Sequence, residues 1–209
     1  MALGPLVRRA FGPFEHQITE AYRSIYVDLD DYVAAVMQWV PSATSILEVG
    51  CGEGAVTERL AVAYPDARIT AIDITARVGR LYRGPADRVR FEQRTVQEVA
   101  AESPRTFDVV MIADVIHHVP LELRTNIINA ARDALAPGGA LIFKEWERTR
   151  TPIHWLCQAS DRWLTGDRVS FMNREEGRAL LEESFDTRAL IAERRVAPWR
   201  NNLMTLVRP

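Results

Sequence analysis

The sequence predicts an α/β fold, a doubly wound and mostly parallel sheet with helices on both faces, and three observations carry that prediction. Apolar runs of strand length alternate with stretches of helical periodicity from about residue 45 onward. A glycine-rich turn, Gly50-Cys51-Gly52-Glu53-Gly54, joins the first apolar run to the first helical stretch behind it. The fourth run, Phe107 to Asp114, is almost continuously apolar, as a strand covered on both faces must be.

Ahead of the sheet, Phe11 to Tyr26 places Phe11, Phe14, Tyr22 and Tyr26 among charges. Two roles are open to this segment: it covers one side of the sheet, or it folds over a ligand site and lends Tyr22, Arg23 or Tyr26 to it. Asp28, Asp30 or Asp31 can cap a helix over Tyr32 to Val40, whose Val33, Val36, Met37 and Val40 share one face and which Pro41 stops. Ser45 to Glu48 is the first strand. The glycines after it allow positive φ and close approach of a ligand to the main chain, and the helix starting near Ala55 presents unpaired N–H groups to the same place. The turn is therefore read as holding something small.

Val56, Leu60 and Ala63 form the inner face of that helix, which Tyr64-Pro65 ends. The second strand, Ile69 to Ile72, delivers Asp73, a carboxylate able to grip both hydroxyls of a ribose. Thr75 to Gly84 is weakly patterned, either a short helix or an irregular connection, and Val89 to Gln93 is the third strand. The fourth strand ends in Asp114-Val115-Ile116-His117-His118-Val119-Pro120, beyond the carboxyl ends of the strands, where open α/β sheets bind ligands. Pro120 can start a helix with Leu123, Ile127, Ile128, Ala131 and Leu135 on its buried side. A Leu135-Ala136-Pro137-Gly138-Gly139 turn precedes a fifth strand, Ala140 to Phe143. Trp146 to Met172 interrupts the alternation with Trp146, His154, Trp155, Trp163, Phe171 and Met172 among arginines, and reads as an inserted helical element, either a small satellite core against the sheet edge or a roof over a substrate. Asn173 and Glu176 form a capping-box pair for a last helix toward Phe185, and Thr187 to Ala192 and Asn202 to Val207 are the final strand candidates.

With 209 residues, 47% of them apolar, the chain can build one domain with a substantial core, and no apolar run is long enough to cross a membrane. Lys and Arg number 26 against 28 for Asp and Glu, so the formal charge of -2 lacks the basic excess that nucleic acid attracts. Met1 to Ala10 has no long apolar centre, which disfavours a targeting segment and leaves the cytoplasm as the expected location. Of the two cysteines, Cys51 and Cys157, the first sits within the glycine turn as a small filler. The expected organisation is a single domain: a helical lid or cover over 1–40, a ligand-binding core over 45–145, an insertion over 146–172, and a terminal helix and hairpin over 173–209.

Two cofactors fit the glycine spacing. Gly50-x-Gly52-x-x-Ala55 satisfies the nicotinamide dinucleotide fingerprint with alanine as third small residue. Glu48-Val49-Gly50-Cys51-Gly52-Glu53-Gly54, an acidic residue followed by alternating glycines, resembles the first motif of the class I S-adenosylmethionine-dependent methyltransferases, small-molecule type. Asp73, the His117-His118 segment and the Leu-x-Pro-Gly-Gly turn follow in that family's order and extend the resemblance across about half the chain. The resemblance implies a seven-stranded sheet with an antiparallel C-terminal strand, and S-adenosyl-L-methionine as cofactor. It places Gly50, Cys51, Gly52 and Gly54 along the cofactor's amino-acid part, with Glu48 ordering the loop amides or, through water, the cofactor's ammonium. Asp73 and Ile74 fall at the ribose, Thr95, Val96 and Gln97 around adenine, and Ala113, Asp114 and His118 beside the methionine part. Thr95 departs from the acidic residue often found there.

Methyl transfer from a sulfonium is an in-line displacement, so positioning dominates and one general base suffices for a protonated acceptor. His117 is assigned that role, with its neighbour turned elsewhere. Asp114 and Glu145 end neighbouring strands, but Trp146 stands where a further oxygen ligand belongs, so no metal is expected. The segment Asp114-Val115-Ile116-His117 also lacks the Asn/Asp-Pro-Pro-Tyr pattern of relatives that methylate amino groups of bases or glutamine. Tyr22, Tyr26, Trp146 and Trp155 suggest a small, mainly hydrophobic acceptor, with Arg162 and Arg168 available to an acidic group on it. The alternatives are a nicotinamide-dependent oxidoreductase on a related sheet and a catalytically silent binding protein of the same fold.

Overall fold

The computed structural model describes residues 14–162 and 169–209; Phe11, Trp163 and Arg168 lie outside the described residues. Two helices, α1 (Glu15–Tyr26) and α2 (Leu29–Trp39), lead into β1 (Ser45–Val49), α3 (Ala55–Ala63), β2 (Arg68–Asp73), β3 (Val89–Gln93) and α4 (Val96–Glu102). They are followed by β4 (Phe107–Ala113), a 3-10 turn (Ile116–His118), α5 (Leu121–Ala134), β5 (Leu135–Trp146), α6 (Pro152–Ser160), α7 (Arg174–Glu182), β6 (Leu190–Arg195) and β7 (Asn202–Val207). The seven strands form one sheet in the order β3-β2-β1-β4-β5-β7-β6. The first five are parallel, and β7 runs antiparallel to both of its neighbours. The order reverses between β1 and β4, so the chain leaves the sheet on opposite sides there and opens a crevice beyond their carboxyl ends.

Strand register sorts the side chains between two cores, because residues paired across a ladder point to the same face. Leu47, Val110 and Leu141 face α4, α5 and α7, where Val99, Ile128, Ala131 and Leu181 pack on them. Ile46, Val109, Met111 and Ile142 face α2 and α3, where Val33, Val36, Leu60 and Ala61 cover them. At the carboxyl edge the same alternation sends Glu145 to the first side, and Lys144 and Trp146 to the second.

Several elements differ from the sequence expectation. The helix expected from Tyr32 begins at Leu29, because Asp28 takes the cap and its carboxylate accepts from the Asp30 and Asp31 amides. Thr75 to Gly84 forms turns and bends; Gly79 is pressed so close to Phe91 that an added Cβ would lie 2.4 Å from its ring. The fifth strand spans Leu135–Trp146 in place of Ala140 to Phe143: Leu135 already pairs with Phe107, and the Pro-Gly-Gly stretch is absorbed as a register shift with Gly138 at φ +76°. On α5, Leu123 is exposed and Arg124 is buried, its guanidinium satisfied by the Val119 and Ser170 carbonyls at 3.0 and 2.7 Å. The Thr187 to Ala192 strand becomes a 3-10 turn over Thr187–Ala189, with β6 starting at Leu190. Among the described residues, no helix is long and apolar enough to cross a membrane.

Candidate active site

The glycine turn is built as an amide-lined bend. Gly50, Gly52 and Gly54 all have positive φ, at 76°, 52° and 94°. The Gly50 and Cys51 amides both donate to the Ile72 carbonyl, at 2.8 and 3.0 Å, and the Gly52 amide donates to Asp73 Oδ2 at 2.9 Å. Asp73 Oδ1 accepts from the Thr75 amide at 2.9 Å, so its carboxylate fastens the loop to the end of β2. A Cβ on Gly52 would meet no atom within 4 Å, which leaves this peptide facing open space.

Glu48 lies beneath the turn, 4% exposed, and its Oε2 accepts from the Thr57 hydroxyl at 2.6 Å. It therefore ties the turn to α3 through the Thr57 side chain. Burial pushes its carboxyl up to about 7; the Thr57 hydroxyl works against that shift and the Asp73 charge adds to it. A carboxyl raised in the folded state binds more protons there than when unfolded, so stability falls as pH rises from about 4.5 to about 7 and stays reduced above. Glu48→Gln is thus expected to gain about 2–3 kcal/mol near pH 8 and almost nothing near pH 4. Melting curves of variant and parent that differ equally at both pH values would remove this account.

At the other side of the crevice, Glu145 organises the end of β4. Its Oε1 accepts from the Val115 and Ile116 amides at 2.9 and 2.6 Å, and its Oε2 meets His117 Nδ1 at 2.7 Å. His117 is 4% exposed, stacked on Phe171 at 4.7 Å, with His118 at 4.2 Å. Its Nε2 stands 4.0 Å from Asp161 Oδ2. Burial alone would push the His117 pKa down, but the Glu145 charge and hydrogen bond outweigh it, with Asp114 and Asp161 assisting, and the net direction is up. Lys144, 1% exposed, makes a short ion pair with Asp114 Oδ2, and Asp114 itself has φ +55°.

Donor atoms of Asp114, His117 and Glu145 lie within 4.8 Å of one another, a cluster in which three groups could serve a metal. Both Glu145 oxygens already accept protein hydrogen bonds and the Lys144 ammonium rests on Asp114, so the cluster is organised by protein donors as it stands.

A cavity of about 540 Å³ connects the two sides. It brings together Glu48, Gly50, Cys51, Gly52, Ala113, Asp114, His117 and His118 with Tyr22 and Tyr26 of α1 and with Trp146. Its lining does not include Gly54, Asp73, Ile74, Thr95, Val96, Gln97 or Trp155. Gly54 ends the turn as the cap of α3, and Ile74 is exposed beside Asp73. Thr95 caps α4, its hydroxyl accepting from the Glu98 amide and donating to the Glu98 carboxylate. The Val96 side chain is buried in the core, and Gln97 is exposed. Trp155 is 63% exposed on α6, while Cys157 of the same helix reaches the cavity.

Tyr32, Lys144, Asp161 and Asn202 also line the cavity, polar side chains to which the sequence reading gave no role. Among the described residues, nothing hydrogen-bonds to the buried Tyr32 hydroxyl, Asp114 Oδ1 or Asn202 Oδ1. The available signal was weak: Lys144 follows four apolar residues directly, and Asn202 opens an apolar strand.

Residues 46–139 match a family model described as a methyltransferase domain. The chain is 38% identical over 123 residues to the ubiquinone biosynthesis O-methyltransferase of Xanthomonas campestris pv. campestris (strain B100), covering 57% of this chain and 49% of that one. It is 37% identical over 109 residues to the enzyme of the same name from Azotobacter vinelandii, covering 49% and 44%. The chain spans about half the length of the curated relatives it matches. Over 98% of this chain and 87% of the other, the fold is similar to Burkholderia thailandensis 1,6-didemethyltoxoflavin-N1-methyltransferase, solved with 1,6-didemethyltoxoflavin and S-adenosylhomocysteine (TM-score 0.68, 17% identity).

Proposed function

We propose that the chain is a class I S-adenosylmethionine-dependent methyltransferase that moves a methyl group from S-adenosylmethionine to a hydroxyl of a small, mainly apolar acceptor, with His117 as general base. The observation that carries this reading is the Glu145–His117 pair facing the same cavity as the glycine turn. The O-methyltransferase relatives support an oxygen acceptor.

The residues present suit such a cofactor. Gly52 leaves its peptide open, and the orphaned Asp114 Oδ1, Asn202 Oδ1 and Tyr32 hydroxyl offer buried polar partners to a ligand. Asp73 spends two of its roughly four lone-pair sites on the loop, and the remaining two can serve a ribose. Ile74, Thr95, Val96 and Gln97 stay assigned to the adenosine side, which extends beyond the cavity's edge. Bound S-adenosylmethionine supplies a methyl group made electrophilic by its sulfonium.

The chain's own part is positioning and one proton. Tyr22, Tyr26 and Trp146 stand edge to face, 5.4 and 5.9 Å between centroids, and wall the acceptor side against water. Glu145, anchored by two backbone amides, fixes the His117 tautomer with hydrogen on Nδ1, so Nε2 is the atom that receives the acceptor's proton. The Glu145 charge then stabilises the imidazolium. S-adenosylhomocysteine at 100 times its Kd is expected to stabilise the fold by about 2.7 kcal/mol, seen as a rise in Tm, whereas NADH leaves Tm in place. A Tm that responds to NADH and ignores S-adenosylhomocysteine would replace this reading with an oxidoreductase.

A further inference from the structure

Three separate parts of the chain meet at one guanidinium. Resting on the assignment of the cofactor to the glycine turn, we propose that Arg80 is a positioning residue. It clamps α1 onto that turn, so that cofactor binding and closure of the cavity wall are coupled.

Arg80 lies in the connection between β2 and β3, whose backbone is docked on the turn. The Gly79 amide donates to the Gly52 carbonyl at 2.9 Å, and the Leu81 amide donates to the Glu53 carbonyl at 3.0 Å. The residue between them therefore moves with the turn. Its Nη1 and Nη2 donate to Glu15 Oε2 and Oε1, at 2.9 and 2.5 Å, and Nη2 also donates to Glu53 Oε1 at 2.6 Å. Glu15 is the first residue of α1, and Glu53 stands between Gly52 and Gly54. The forked contact with Glu15 fixes direction as well as distance, which the point charge of an ammonium does not.

The helix depends on such contacts, because no residue of α1 is buried. Its far end is held by three hydrogen bonds. Asn202 Nδ2 donates to the Tyr26 carbonyl at 2.7 Å, Trp199 Nε1 donates to the Ile25 carbonyl at 2.6 Å, and the Tyr26 hydroxyl meets Ser160 Oγ at 2.7 Å. Arg59 of α3 takes Glu20 at 2.6 Å in the middle, and Arg80 holds the start. Between α1 and the turn runs a narrow cleft, with His16, Thr19 and Glu20 on one side and Glu53, Ala55 and Leu81 on the other. Ile18, Tyr22 and Tyr26 of the same helix line the main cavity. Releasing Arg80 frees the start of α1 to swing about its held end, away from that cavity. A ligand that orders the turn presents Arg80 to Glu15, and the closed helix slows the ligand's departure. By linkage, the factor by which the ligand favours closure is the factor by which closure raises its affinity.

The experiment measures S-adenosylhomocysteine affinity by calorimetry and opening of α1 by amide hydrogen exchange over residues 15–26, in the full chain and in its variants. In the parent, saturating S-adenosylhomocysteine is expected to slow that exchange by about tenfold. In Arg80→Ala the protection falls below about twofold and Kd rises by about 5- to 20-fold. Glu15→Ala leaves the contacts of Arg80 with the turn intact, so it tests the clamp apart from the turn, and the same loss of protection is expected. The variant carrying both changes binds within about twofold of Arg80→Ala, since the two remove one shared contact. Arg80→Lys keeps the charge without the fork and falls between parent and Arg80→Ala. A merely structural role would lower the Tm of the ligand-free variants and leave the ratio of exchange rates with and without ligand at its parent value. That result, or losses in Arg80→Ala and Glu15→Ala that multiply when combined, overturns the proposal. A parent chain that does not bind S-adenosylhomocysteine overturns instead the cofactor assignment on which it rests.

Discussion

Replacing His117 with alanine is expected to lower kcat by about 10²- to 10⁴-fold, the usual worth of a positioned general base, while S-adenosylhomocysteine still raises Tm. The asymmetry follows from the geometry: the imidazole is held by Glu145, while the Gly50, Cys51 and Gly52 amides of the turn are fastened to Ile72 and Asp73. The pH dependence supplies an independent check. Only the neutral ring accepts a proton, so kcat rises with pH as His117 loses its own. Burial lowers that pKa and the Glu145 carboxylate more than restores it, so the midpoint of the acid limb falls above 6.5. Glu145→Gln removes the charge that raises it, and the limb shifts to lower pH while kcat drops, because the amide no longer enforces the Nδ1 hydrogen. Undiminished turnover in His117→Ala, or an acid limb unmoved in Glu145→Gln, would take the base assignment away and leave fold and cofactor standing.

Gly50→Ala is expected to destabilise the fold by about 2–5 kcal/mol and to abolish cofactor binding. At φ +76° any L side chain is strained, and an added Cβ would lie 2.2 Å from Val115 Cγ2. Val115 is β-branched and stiff at χ1, and its Cβ and Cγ1 also lie 3.4 Å from the added carbon, so rotation gives little relief. The backbone must shift instead, which pulls the Gly50 and Cys51 amides from the Ile72 carbonyl and opens the turn. Gly52→Ala separates binding from stability. With nothing within 4 Å of its Cβ, it suffers only the backbone cost of about 1–2 kcal/mol, yet its methyl occupies the space that the cofactor approaches. A wild-type Tm in Gly50→Ala, or undiminished S-adenosylhomocysteine affinity in Gly52→Ala, would contradict the role given to the turn.

The comparison of Leu123 with Arg124 shows how far periodicity reaches. A period of 3.6 residues names a face, but the helix began one residue past Pro120, and the Val119 carbonyl before it and the Ser170 carbonyl of the insertion accepted from a guanidinium, so the arginine went in and the leucine stayed out. Thr95 shows the same limit from the other direction: its place after β3 was legible, and its hydroxyl was spent on a capping box with Glu98.

Alternation of apolar runs determined the strand sequence, and the spacing of Gly50, Gly52 and Gly54 determined where the chain could bend against a ligand, because both are properties of neighbouring residues. The His117 partner was decided elsewhere. Glu145 is 28 positions away and arrives through the pairing of β4 with β5. Asp161 comes from the end of α6, and Tyr32, Lys144 and Asn202 come from three separate elements. These meetings depend on strand register and helix docking, quantities summed over the whole core, and no local pattern in the chain encodes which carboxylate will face which imidazole nitrogen.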